Sequence, residues 1–218
     1  MSLVVCYDDA GRWYQSPSGV WYPSVTTVLR VLSDRAIAKW RKRVGEAEAD
    51  RISEHACTRG TAVHEILEEF CLDKPIPRKS AEANSMAAQL VPIIRRNIGR
   101  VYRSESQLWS DKLRIAGRCD LIADWRGVPS IIDFKTARKP KREEWIKGYL
   151  AQACFYSVAY WQRARHQAVQ SVILIATDDG QPQVFVRPAR PYYDTLVSAR
   201  AKFSRVYWDA PRLTPVAA

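Results

Sequence analysis

The chain has 218 residues, enough to bury one substantial core, and its 47% hydrophobic content with eight tryptophans and ten tyrosines excludes a disordered polypeptide. Lysine and arginine outnumber the acids 34 to 23, an excess that favours a polyanionic partner whose phosphates exchange counterions for basic side chains. No apolar run reaches the roughly 18 residues of a spanning helix, and five cysteines without a C-x-x-C pair speak against zinc or iron–sulfur frameworks and for reduced thiols.

Residues 4–7, 12–15 and 20–22 read as short strands separated by turn chemistry at Asp8, Asp9 and Gly11 and at Ser16, Pro17 and Gly19. The start MSLVVCYDDAG has neither a basic n-region nor an Arg-rich, acid-poor character, so a cytoplasmic protein without membrane contact is expected. Ser24 is placed to cap a helix over 25–32, and a second helix is expected over 34–55. The latter carries Lys39, Trp40, Arg41, Lys42 and Arg43. A solvated face with Trp40 turned inward and a nucleic-acid contact are equally open there.

In residues 59–70, RGTAVHEILEEF, the residues Val63, Ile66, Leu67 and Phe70 make a helical stripe. His64 sits at its edge with Glu68 one turn on, and a histidine there alone is more often a hydrogen-bonded boundary residue than a ligand. Arg59 and Gly60, taken as the helix start, fit a phosphate, though Gly60 also permits close packing. After Pro75 and Pro77 a helix over 80–99 is expected to kink or break at Pro92, with Arg95, Arg96, Arg100 and Arg103 making its far end basic.

A meander follows: strands at 105–109, 115–123 and 128–134, the last two joined by a turn at Trp125, Arg126 and Gly127. Alternation in IIDFK puts Asp133 and Lys135 on one face and Ile132 and Phe134 on the other. Asp120 lies among Cys119, Leu121 and Ile122, where a lone carboxylate is costly to ionise. Two such aspartates brought together call for a cation, and carboxylate oxygens suit magnesium or manganese. An Asp-x-Lys triplet alone is weak; its position 13 residues beyond the aspartate of Gly117-Arg118-Cys119-Asp120 strengthens it.

A basic loop containing Arg138 leads to a helix over 143–163 that is apolar on nearly every face. Gln152 and Tyr156 share one side of it, and a buried glutamine there fits either a supporting or DNA-facing role or an ordinary core contact. Strands at 169–176 and 183–186 flank Asp178, Asp179 and Gly180, a closing helix spans 191–207, and the tail at 209–218 is expected to fray. The order of elements implies an α/β fold with a mixed sheet flanked by helices, organised as one domain: an N-terminal hairpin and helices (1–55), a core (56–208) and the tail.

The ordered set RGTAVH, GRCD, IIDFK and QACFY, with YPSVTTVL at 22–29, resembles the RecB-like branch of the PD-(D/E)xK nuclease superfamily. Within it the resemblance is to the mitochondrial genome-maintenance exonucleases and their phage and bacterial relatives. Gly-x-x-Asp stands where the motif name promises a proline and an acid. The resemblance implies a restriction-endonuclease-like core and a metal site made by His64, Asp120, Asp133 and the carbonyl of Phe134. It makes Asp120, Asp133 and Lys135 the catalytic set, Lys135 orienting or activating water. Glu68 and Glu105 back the ligands, and Arg59, Trp40, Lys42, Arg138, Gln152 and Tyr156 attend the DNA. The implied activity is a Mg2+- or Mn2+-dependent DNA exonuclease of a bacterial or phage-infected cell, acting on single strands or free ends and leaving 5′ phosphates. That activity would serve recombination, repair or replication, with a recombination or single-strand-binding protein as partner. The rivals are a duplex-end-resecting or structure-specific endonuclease and a silent DNA-binding recombination subunit.

Overall fold

The computed structural model describes residues 2–208, 210 and 211; the rest of the expected tail lies outside the described residues. The chain opens with three antiparallel strands, β1 (Val4–Asp8), β2 (Gly11–Gln15) and β3 (Trp21–Pro23). The Asp8 carboxylate closes the first turn by accepting the N–H groups of Ala10 and Gly11 at 2.9 and 3.1 Å, the local capture of backbone donors that makes Asp a turn residue. Ser24 then caps α1 (Val25–Leu29), its hydroxyl accepting the Thr27 N–H at 3.0 Å. A 3-10 turn carries the helix on to Leu32.

The next helical stretch departs from expectation. It is two helices, α2 (Asp34–Val44) and α3 (Glu46–Cys71), and the break falls at Gly45 instead of near residue 56. Gly45 has φ 88° and ψ 148°, a conformation that costs little only without a Cβ. Helix formers on both sides concealed this hinge. Helix α2 buries none of its residues, whereas α3 buries Val63, Ile66 and Leu67. Ser80 caps α4 (Ala81–Asn97), accepting the Ala83 N–H at 3.2 Å. The helix runs through Pro92 without the expected break. Pro92 and Ala88 both lie on its exposed face, where water can take the carbonyl that proline leaves unpaired.

The main sheet has the order β4 (Ile98–Ser110), β5 (Ile115–Trp125), β6 (Val128–Ala137), β7 (Gln170–Thr177), β8 (Gln183–Pro188). Its first three strands are the antiparallel meander; β7 runs parallel to β6 and β8 antiparallel to β7. The parallel pair needs a crossover, supplied by a 3-10 turn at Glu143–Ile146 and α5 (Lys147–Ala164). A last helix, α6 (Tyr193–Val206), follows β8.

Alternation along the strands sends Ile131, Ile173 and Ile175 to a core shared with α1, α5 and α6, and Ile132, Phe134, Val172 and Leu174 to one shared with α3 and α4. Strand β7, covered on both faces, is buried from Ser171 to Thr177, as parallel strands are. Ten of the 18 residues of α5 are buried, which places it between layers. The small sheet packs Leu3, Tyr14 and Tyr22 around Ala116 at the start of β5. This anchors the strand that carries Asp120.

The backbone is closely approached at Gly117, where an added Cβ would lie 2.9 Å from the Tyr156 hydroxyl, 3.0 Å from its ring and 3.1 Å from Val25. Tyr156 is 1% exposed and cannot swing away. Gly117→Ala is therefore expected to destabilise the fold by about 1–3 kcal/mol through overpacking, measured as a lower urea midpoint with unchanged slope.

Candidate active site

Strands β5 and β6 stay paired only as far as Leu121 and Ile132. The next positions, Asp120 and Asp133, stand where the strands part. There the N–H of Phe134 donates to Asp120 Oδ2 at 2.9 Å, so a side chain replaces the lost ladder partner and fixes the carboxylate against β6. The parting coincides with a change of phase in β5. Cys119 and Ile122 both face the α5 side, while Leu121 and Ala123 face α3 and α4. Across β4, Glu105 lies opposite Asp120, between the pairs Ser104 with Leu121 and Ser106 with Cys119. Its φ is 46°, a left-handed backbone that costs a glutamate of order 1–3 kcal/mol and gathers at functional sites.

Helix α3 lays His64 over this opening, its Nδ1 3.4 Å from Asp120 Oδ2 and its ring edge-on to Phe134 at 6.0 Å between centroids. One ligand atom each of His64, Glu105 and Asp120 lies within 4.8 Å of the others. An imidazole with two carboxylates is a donor set that fits a divalent ion. Asp133 stands outside this group. Its Oδ1 accepts from Gln152 Nε2 at 3.0 Å, and its Oδ2 is ion-paired with the Lys135 ammonium. Lys135 also donates to the Phe134 carbonyl at 3.3 Å, so that oxygen faces the site. His64, Glu105, Asp120, Lys135, Gln152 and Tyr156 line one cavity of 310 Å³.

The charges explain the titration behaviour. Burial pushes the Asp133 carboxyl up, and Asp120 beside it pushes further, to about 6 despite Lys135. Burial also acts on Asp120, but the His64 charge and hydrogen bond, Lys135 and the Phe134 N–H outweigh it and leave this carboxyl below its usual range. Burial works against charge on His64 and Lys135, and the aspartates reverse it in both, so both titrate above their ordinary values. Glu105 is raised to about 7 by burial and by Asp120 and Glu68, with Arg118 opposing. Glu68 is also raised, first by burial and then by Glu69.

Other expected residues have different surroundings. Arg59 is not at a helix start; it lies inside α3, 6% exposed, with its guanidinium paired to Glu82 at 3.0 Å and Asp178 at 2.9 Å. Glu68 accepts from Ser104 at 3.4 Å, and that hydroxyl also reaches the Asp120 carbonyl. Tyr156, 1% exposed, donates to the Arg118 carbonyl at 2.7 Å. With Gln152 on Asp133, both α5 residues are turned to the strands bearing the aspartates. Lys42 and Arg138 are exposed and Trp40 is partly covered, and none of the three lines the cavity. Arg118 does line it and pairs with Glu105 at 2.7 Å. It stands two before Asp120 on the same strand, a spacing that signals a shared side.

A model of the PD-(D/E)XK nuclease superfamily matches residues 34–210, and the chain belongs to that superfamily. Its mixed sheet flanked by helices is the restriction-endonuclease-like core. Human mitochondrial genome maintenance exonuclease 1 is 26% identical over 181 residues, covering 73% of this chain and 50% of the human protein. The chain thus spans about half the length of that relative. Among solved structures, SSO0001 aligns with a TM-score of 0.41 and 15% identity over 82% of this chain and 73% of its own. A candidate exonuclease from Eubacterium rectale gives 0.45 and 12% identity over 68% and 66%. No described helix is long and apolar enough to cross a membrane.

Glu105 and Asp133 bind protons more tightly folded than unfolded, so their contribution to stability is complete below the ordinary carboxylate range and is lost as pH rises through about 6 and 7. In chelator, Glu105→Gln should therefore gain melting temperature relative to wild type between pH 5 and 8.5. Saturating Mn2+ should return the advantage to wild type at the higher pH, because only wild type offers an imidazole and both carboxylates to an ion. Thermal unfolding in the four conditions checks both signs.

Proposed function

We propose that the protein is a Mg2+-dependent DNA exonuclease, with Mn2+ an alternative ion, that hydrolyses single strands or free ends and leaves 5′ phosphates. The observation that carries this reading is the convergence of His64, Glu105 and Asp120 beside Lys135 in one cavity. His64, Glu105 and Asp120 would hold the ion, with Asp133 and the Phe134 carbonyl next to them. When bound, the ion supplies an acidified water and a Lewis acid for the scissile phosphate. Lys135, kept cationic by the two aspartates, acts as a charged donor that orients the nucleophile and meets charge building on phosphorus; it is poorly suited to remove a proton. Gln152 holds Asp133 in place through its amide. Tyr156 holds the Asp120 strand through the Arg118 carbonyl.

Net charge of +11 supports a nucleic-acid substrate, and the basic face of α2 and the loop at Arg138 are the surfaces we assign to guiding the strand. Arg59 is left out of that set because its charge is spent on Glu82 and Asp178. A role in DNA recombination, repair or replication, alongside proteins that expose single strands, follows from this substrate.

End-labelled single-stranded and duplex DNA, and closed circular DNA followed by its conversion to smaller products, each with Mg2+ or chelator, test the reading. Mg2+-dependent loss of label from linear strands, with circles untouched, is expected; no product from any of them would sink it. Lys135→Ala should cut turnover about 100- to 1,000-fold while DNA affinity, measured by anisotropy in Ca2+, stays within about twofold. Lost affinity of the same size would assign Lys135 to binding.

A further inference from the structure

Beside the catalytic cavity lies a second, wider one of 730 Å³ that no step so far uses. The two adjoin, with Thr26 and Gln152 lining both. Its wall is formed by the turn between β6 and α5 and by the end of α1. Trp145 stands in that turn next to Ile146, which is fully buried. The turn is thereby anchored, yet the indole is left 61% exposed, and Leu32 across the cavity is 47% exposed. Single exposed apolar residues are ordinary; two facing one cavity that adjoins a reaction centre are less so. Arg142 sits 5.4 Å from the indole centroid, and the ring keeps open surface beyond it. One helical turn later Tyr149 lines the same cavity, its ring 5.2 Å from the Lys135 ammonium. Two aromatic residues thus line the cavity, and the inner one stands against the catalytic lysine.

The chemistry of this wall selects what it can take. Leu29, Leu32 and the indole offer apolar surface, and the charges on the same wall, Arg30 and Glu144, are of opposite sign, so the wall gathers no concentrated charge for a phosphate. A flat, neutral heterocycle satisfies both conditions, and aromatic stacking is the sequence-tolerant way proteins hold unpaired bases. Bases within a duplex are covered by their neighbours above and below and cannot present a face. We infer that this cavity is a base-stacking subsite in which an unpaired nucleotide adjoining the scissile phosphate lays its base on Trp145. The inference rests on the nuclease reading above and gives the preference for single strands a physical origin. Trp145 acts as a specificity-determining contact, one strand-step away from the reacting phosphate, and takes no part in the bond exchange.

The test is an abasic scan: end-labelled single strands in which one nucleotide at a time, near the cleaved bond, lacks its base, digested by wild type, Trp145→Ala and Trp145→Phe, with a blunt duplex alongside. For wild type, one abasic position is expected to lower kcat/KM about tenfold. Trp145→Ala should show that loss on the intact strand and no further loss with the abasic one. Trp145→Phe should restore most of the rate and the sensitivity, and the duplex rate should be unchanged throughout. No cleavage of any DNA by wild type would overturn the nuclease reading itself. Cleavage with a flat scan in wild type, or the same abasic sensitivity in Trp145→Ala, would overturn the stacking subsite and leave the nuclease reading standing. Equal loss on strand and duplex would overturn it too, since Trp145 would then serve both substrates alike.

Discussion

The site depends on a hydrogen bond that substitutes for a missing one. Where β5 and β6 part, the Phe134 N–H would be left without a strand partner in a nearly dry place, at a cost of about 1–3 kcal/mol. Asp120 takes it at 2.9 Å, so the carboxylate we assign to the ion is also what closes the end of the ladder. The same economy appears at Asp133, which receives the Gln152 amide, and at the Arg118 carbonyl, which receives the Tyr156 hydroxyl. Each aspartate-bearing strand is thus tied by one polar contact to α5, the helix that also makes the parallel crossover. The sheet can open between β5 and β6 without losing its hold on either.

This opening concentrates negative charge. Asp133 is 2% exposed, Asp120 11% and Glu105 22%, and the protein faces them with basic groups of its own: Lys135 on Asp133, His64 on Asp120, Arg118 on Glu105. Buried charges that would be costly alone are tolerable as such pairs. The pairing is unequal, and it separates the carboxylates into one kept ionised, Asp120, and two kept closer to neutral pH, Glu105 and Asp133. Under the proposed reading, an incoming cation would meet carboxylates already held in place by protons and basic groups that it can displace. The left-handed backbone at Glu105 is a further cost accepted locally, and the covered strand β7 and the ten buried residues of α5 supply the surrounding rigidity.

Signals carried by neighbours in sequence were legible without coordinates. Ser24 as a cap, the Asp8 turn, the alternation in IIDFK and the all-round apolar α5 each rest on residues within a few positions of one another, and each element is found where its pattern placed it. Gly45 was missed because good helix formers surround it, and its φ of 88° is imposed by how α2 leaves the body of the fold. Arg59 was misplaced as a consequence: once α3 begins at Glu46, residue 59 lies in its middle and meets Glu82 and Asp178, 23 and 119 positions away.

The sequence by itself determined the α/β class, the meander, the sharing of one face by Asp133 and Lys135, and the membership that four ordered motifs carry, because periodicity and motif order are properties of the chain read along its length. Only the tertiary structure decided that Glu105 joins His64 and Asp120, that Asp133 is instead engaged by Gln152 and Lys135, that Arg118 closes the cavity, and that Trp145 and Leu32 face a common space. Those facts turn on register and on the place where two strands separate. Register is set by packing between residues far apart in the chain, and a shift of one position would turn every side chain on a strand to the opposite face.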